Sequence, residues 1–205
     1  MARQTILMLI ALAALLATPS VLWGFPRPAP VSIRPELTFR PDAMRLYTHP
    51  DGRHYWYFIY DVVNTTGEDR VWAPSMVLFT DRGEVMADGR GVSREVRDAV
   101  IDYVGDPLLE SKVSIIGKLR QGAGHARRGL AIWPAKKTNV NELRLFVQGI
   151  SPESTTVPHP ITGDPVTLRK TLYRHYLIVG DATSRGDEAV PLHPDYVGED
   201  HWVYR

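Results

Sequence analysis

The densest chemistry in this sequence is basic. Residues 111–141 carry Lys112, Lys118, Arg120, Arg127, Arg128, Lys136, Lys137 and His125, and no acid. Such a cluster attracts phosphate, sulfated or uronic polymers, or anionic head groups. Within it, Gln121–Gly129 (QGAGHARRG) is rich in glycine and could aim backbone N–H groups at an anion, although no G-K-[ST] follows to make a phosphate loop. Lys118, Arg120, His125, Arg127 and Arg128 are therefore the candidate anion-binding residues. The plainer reading, a solvated hairpin balanced by the acidic tail, is the one the composition favours.

Other constellations are weaker. Seven histidines occur (His49, His54, His125, His159, His175, His193, His201), none at H-x-H or H-x-x-x-H spacing, so no metal site is assigned. No serine lies in G-x-S-x-G, and the adjacent carboxylates Glu68-Asp69 and Glu199-Asp200 fall in turn-like or tail segments. The absence of cysteine removes disulfides, iron–sulfur clusters, thiolate zinc and a thiol nucleophile. The chain is read as non-enzymatic, with no cofactor. Net charge is +1, which names no partner, and no nucleic acid is expected. Asn64-Thr65-Thr66 matches a glycosylation sequon, though turn chemistry explains it as well.

The elements that must position these groups read as β. His54–Met86 looks like strand, turn, strand, turn, strand, a meander from a sandwich. Tyr55, Tyr57, Ile59 and Val63 alternate with Trp56, Phe58, Tyr60 and Val62, and both faces suit a pleated, buried strand. Asn64–Asp69 and Asp81-Arg82-Gly83 supply the turns. One helix interrupts: Ser93 is the N-cap, Val96, Ala99, Val100 and Tyr103 recur at helical spacing, and Gly105 stops it. Leu108–Leu119, Leu130–Pro134, Glu142–Ile150 and Val166–Val179 read as further strands. The expected core is Tyr57, Ile59, Val63, Val77, Phe79, Leu145, Val147, Leu172 and Tyr176.

Composition sets the wider organisation. Ile6–Ala17 is an apolar run of signal-peptide length, and Thr5–Phe25 holds no charge over a length that could span a bilayer. Export follows either way, with cleavage placed ahead of retention as an anchor. Residues 26–36 form a proline-rich linker, 37–180 the sandwich and 181–205 an acidic tail whose Trp202 and Tyr204 are candidate docking residues. His201–Tyr204 is expected to pack on the domain or on a partner.

The stretch YFIYDVVNTTGEDRVWAPSMVLFTDRGEV, with the later LRLFVQGIS, resembles the immunoglobulin-like, telokin-like accessory domains of bacterial exported proteins, planctomycete ones among them. The resemblance covers roughly 55–86 and 141–180. It implies a mainly β, antiparallel immunoglobulin-like sandwich with one short inserted helix, preceded by an N-terminal hydrophobic helix. It transfers no catalytic residue. The function expected is an exported, non-catalytic interaction module outside the cytoplasm, with a protein partner, attached to the membrane if the N-terminal segment is uncleaved. The alternatives are an anionic-polymer binder using 111–141, or a hydrolase or metal enzyme with a loop-built site.

Overall fold

The computed structural model describes residues 26–29 and 32–205. The hydrophobic segment 1–25, read as signal or anchor, lies outside the described residues. The rest is mainly β, in two larger, mostly antiparallel sheets whose inner faces share one apolar core.

The first sheet has the order β1 (Thr38–Thr48), β2 (His54–Val63), β8 (Arg127–Pro134), β6 (Leu109–Glu110). β1 and β2 form a hairpin around the His49–Gly52 turn, with a register irregularity between Pro41 and Met44. β6 lies parallel to β8 but covers only Arg128 and Gly129. The second sheet runs β5 (Val85–Ala87), β4 (Ser75–Thr80), β9 (Glu142–Gln148), β11 (Pro165–Leu177). Both β10 (Ser154–Pro158) and β12 (His201–Tyr204) also pair with β11. Arg169 exchanges both backbone bonds with Arg205, whereas Lys170 donates its N–H to Glu153. Successive strand residues direct these groups to opposite edges, so β10 and β12 flank β11 on opposite sides. The tail beyond 180 thus ends as a strand of the domain.

Three sequence readings are corrected here. The stretch 54–86 is not one meander: β2 and β4 belong to different sheets, and β3 (Arg70–Trp72) leaves both to pair with β7 (Gly117–Leu119). Leu108–Leu119 is not one strand. It breaks into β6, a one-turn helix α2 (Lys112–Ile115) capped by Ser111, and β7. In β4, Met76 and Leu78 are the core residues and Val77 and Phe79 face outward. The short apolar run carries no alternation that would fix its register.

The expected helix is α1 (Arg94–Val104). The Ser93 hydroxyl accepts from Val96 N–H and the chain turns left-handed at Gly105. It packs Val96 and Val100 on the outer face of the first sheet, against Tyr47, Tyr55, Tyr57, Ile59, Leu130 and Ile132. That is why β2 is apolar on both faces. Trp56, Phe58, Tyr60 and Val62 enter the inter-sheet core with Leu145, Val147, Leu172 and Tyr176, while Tyr57 and Ile59 fill the second cluster under α1. Tyr60 crosses β8 at Gly129, where a Cβ would overlap the tyrosine ring and the Ile115 side chain.

Segment 186–205 closes the molecule. Tyr57 donates to Asp187 at 2.8 Å, Val190 N–H donates to Met44 of β1, and Leu177 N–H donates to Pro191. The free edges of β1 and β11 are thereby joined by one stretch of chain.

Candidate functional site

The expected anion-binding residues do not form one open basic surface. Lys118 pairs with Asp69 at 2.7 Å, and Arg127 is held by Glu110 and by the Ser114 carbonyl. Arg128 meets three carboxylates: Asp106 at 2.8 Å, Asp61 at 2.9 Å and Asp42 at 3.5 Å. Three acids around one guanidinium give that place a negative sum. Arg120 and His125 are exposed. The acids come from β1, β2, the turn before β3, the α1 exit and β6, all outside residues 111–141, so the basic run by itself shows no compensating charge. Asn64 of the sequon is fully buried, and both hydrogens of its amide are donated, to the carbonyls of Glu68 and Leu119. Its amide nitrogen is committed to the fold.

The histidines converge only in part. His175 of β11 stacks on His193 with centroids 4.7 Å apart and planes 9° apart, bordered by Tyr173 and Tyr196. The His175 ring bonds Glu142 through Nε2 at 3.1 Å, its Nδ1 is buried without a partner, and burial lowers its pKa. Parallel stacked rings do not point their nitrogens at a common centre. Among the described residues no group of three His, Cys, Asp or Glu is placed to hold a metal ion.

Lys170 is the most deeply buried cation among the described residues. Its Nζ lies 3.0 Å from Glu36 and 3.5 Å from Glu153, with the Trp202 ring 4.8 Å away. Glu153 in turn accepts from the Ser32 hydroxyl and Ile33 N–H, which fastens the end of the proline-rich linker to the domain. Trp202 is half-buried against the core; Tyr204 pairs with Lys170 across β11–β12.

The place best suited to a ligand is one the sequence did not single out. After β5 the chain passes through Asp88-Gly89-Arg90-Gly91. β6 leaves most of the outer edge of β8 unpaired, and this loop completes it: Ile132 N–H donates to Asp88 Oδ1 at 2.9 Å, and Gly89 N–H donates to the Ile132 carbonyl at 2.9 Å. Gly89 does so at a φ of 73°, where a side chain is disfavoured. Lys112 of α2 caps the Asp88 carbonyl at 2.6 Å and reaches its carboxylate at 3.8 Å.

A cleft of about 500 Å³ opens beside this loop, floored by Leu130, Ile132 and Val92 and rimmed by Arg90, Arg97, Lys112 and Val113. That volume suits a small-molecule site. Asp88 is 7% exposed, and burial lifts its pKa to about 6, against the opposing pull of the Ile132 N–H and Lys112. Arg97 is paired with Asp98, whereas Arg90 is exposed and has no carboxylate partner among the described residues. The only local sequence signal was the repeated glycine of D-G-R-G, which reads as an ordinary turn.

Compared with known proteins, the chain matches no family model, no curated sequence and no solved structure. Among the described residues no helix is long and apolar enough to cross a membrane.

Proposed function

We propose that this chain is a non-catalytic binding module working outside the cytoplasm, an accessory of a membrane or envelope assembly, and that the Asp88 cleft is where it takes its ligand. The observation that carries this reading is the cleft itself: an apolar floor made by a sheet edge, with cationic side chains from three separate elements at its rim. The export reading comes from the uncharged Thr5–Phe25 segment. We read the two packed sheets as an immunoglobulin-like sandwich, an architecture that commonly presents loops to ligands without performing chemistry.

Photo-crosslinking in the native envelope tests the reading. A benzoylphenylalanine placed at position 113, on the cleft rim, should give a defined adduct after illumination. The same group at position 161, exposed on the β10–β11 turn, should give none. Equal or absent labelling at both positions would remove the cleft as the binding place.

A further inference from the structure

We propose that the Asp88 cleft binds an amphiphile: one anionic head group, phosphate or carboxylate, carried on an alkyl chain. The inference rests on the binding-module reading above and adds the ligand class. The floor is the argument for the chain. Val113 is 76% exposed, Ala87 and Val92 border the cleft with it, and the nearly buried Leu130 and Ile132 close its base without a side-chain polar group. Ile132 also has both backbone groups committed to Asp88 and Gly89, so this part of the sheet edge offers a ligand nothing but hydrocarbon.

The rim is the argument for the anion. Arg90 from the loop, Arg97 from α1 and Lys112 from α2 all border the opening, against one carboxylate, Asp88. Lys112 is engaged by Asp88 and Arg97 by Asp98, which leaves Arg90 as the cation to close on a head group in a bidentate manner. β8 contributes no charged side chain to the cleft. Asp88 makes the binding proton-linked. An anion seated beside it favours its neutral form, so a proton is taken up on binding near pH 7.

The experiment is hydrogen exchange of the 87–92 and 112–116 amides in the full chain, held in phosphatidylcholine nanodiscs. Octyl phosphate should protect these amides, with octanol and inorganic phosphate each at least ten-fold weaker. Arg90→Gln combined with Arg97→Gln should weaken octyl phosphate at least ten-fold, while Arg94→Gln, on a side chain pointing into solvent, should not. Nanodiscs containing phosphatidate separate the two sources of such a head group. Protection by phosphatidate discs but not by octyl phosphate assigns the ligand to the bilayer; protection by octyl phosphate in neutral discs assigns it to a free amphiphile. Equal protection by octanol, indifference to the double substitution, or no protection in any arm overturns the proposal. If those failures come with a persisting adduct at position 113, the ligand class is wrong and the binding module stands; loss of the adduct as well removes both.

Discussion

Asp88 and Lys170 are both almost wholly out of solvent, at 7% and 1% exposed, yet the fold treats them in opposite ways. Lys170 has opposite charge around it, although its Nζ makes no aligned hydrogen bond. Two carboxylates lie within 3.5 Å and Trp202 covers it with an aromatic ring. Its neighbours come from the linker, from the β9–β10 connection and from β12, so one ammonium ties both ends of the described chain to the sheet. Asp88 has one aligned backbone donor and a lysine at 3.8 Å, and it borders an open cleft. The first charge is compensated and structural. The second is left partly uncompensated, at a cost in stability, in a place that a ligand can reach.

The largest expected effect falls on the enclosed charge. Lys170→Met leaves Glu36 and Glu153 without their cation and should lower unfolding stability by about 3–5 kcal/mol. Adding Glu36→Gln and Glu153→Gln should recover most of that loss, because the uncompensated carboxylates go with it. Urea unfolding of the three chains measures both steps. A single variant as stable as the parent would erase the distinction between the two sites.

The next effect is a pH profile. The folded Asp88 pKa of about 6 lies above its ordinary 3.8, so the folded state holds a proton that the unfolded chain gives up. Its contribution is fully present below pH 4 and is lost as pH rises through 6, a swing of roughly 3 kcal/mol for two pKa units. Asp88→Asn keeps an oxygen to accept from Ile132 N–H and cannot ionise. Relative to the parent it should therefore be more stable at pH 7 than at pH 4. A difference that stays flat across this range would place Asp88 on the same footing as Lys170.

Smaller changes sharpen the contrast at the two covers. Trp202→Ala removes the roof over Lys170 and part of the packing of β12, an expected loss of about 2 kcal/mol with faster exchange of the Arg169 and Arg205 amides. Val113→Ala, at the rim of the open cleft and 76% exposed, should leave the unfolding midpoint unchanged. A comparable loss from both would mean that the cleft is packed as tightly as the lysine.

Much of the framework was legible from local patterns. The helix was marked by Ser93, the spacing of Val96, Ala99, Val100 and Tyr103, and Gly105, all of which act within one or two turns. The alternation of Leu143, Leu145 and Val147 marked β9. The errors fell where a residue's environment comes from elsewhere. β4 took the opposite register from the one expected because Met76 to Phe79 is apolar throughout, and only the partner sheet selects Met76 and Leu78. Arg127 and Arg128 have no acid in their own run because Glu110, Asp106, Asp61 and Asp42 arrive from β6, the α1 exit, β2 and β1.

Residue types and short spacings were enough to set a mainly β chain with one capped helix, no thiol chemistry, a proline-rich stretch after a long uncharged apolar segment, and aromatic strands dense enough to build a core. Tertiary structure decided which face of β2 met the opposite sheet and which met α1, that residues 186–205 bind both sheet edges, and that Asp88 caps a strand 44 residues away while facing a cleft. No local pattern encodes these. Each depends on chain segments distant in sequence meeting at one strand edge, where an unpaired backbone group or a buried charge must find its partner.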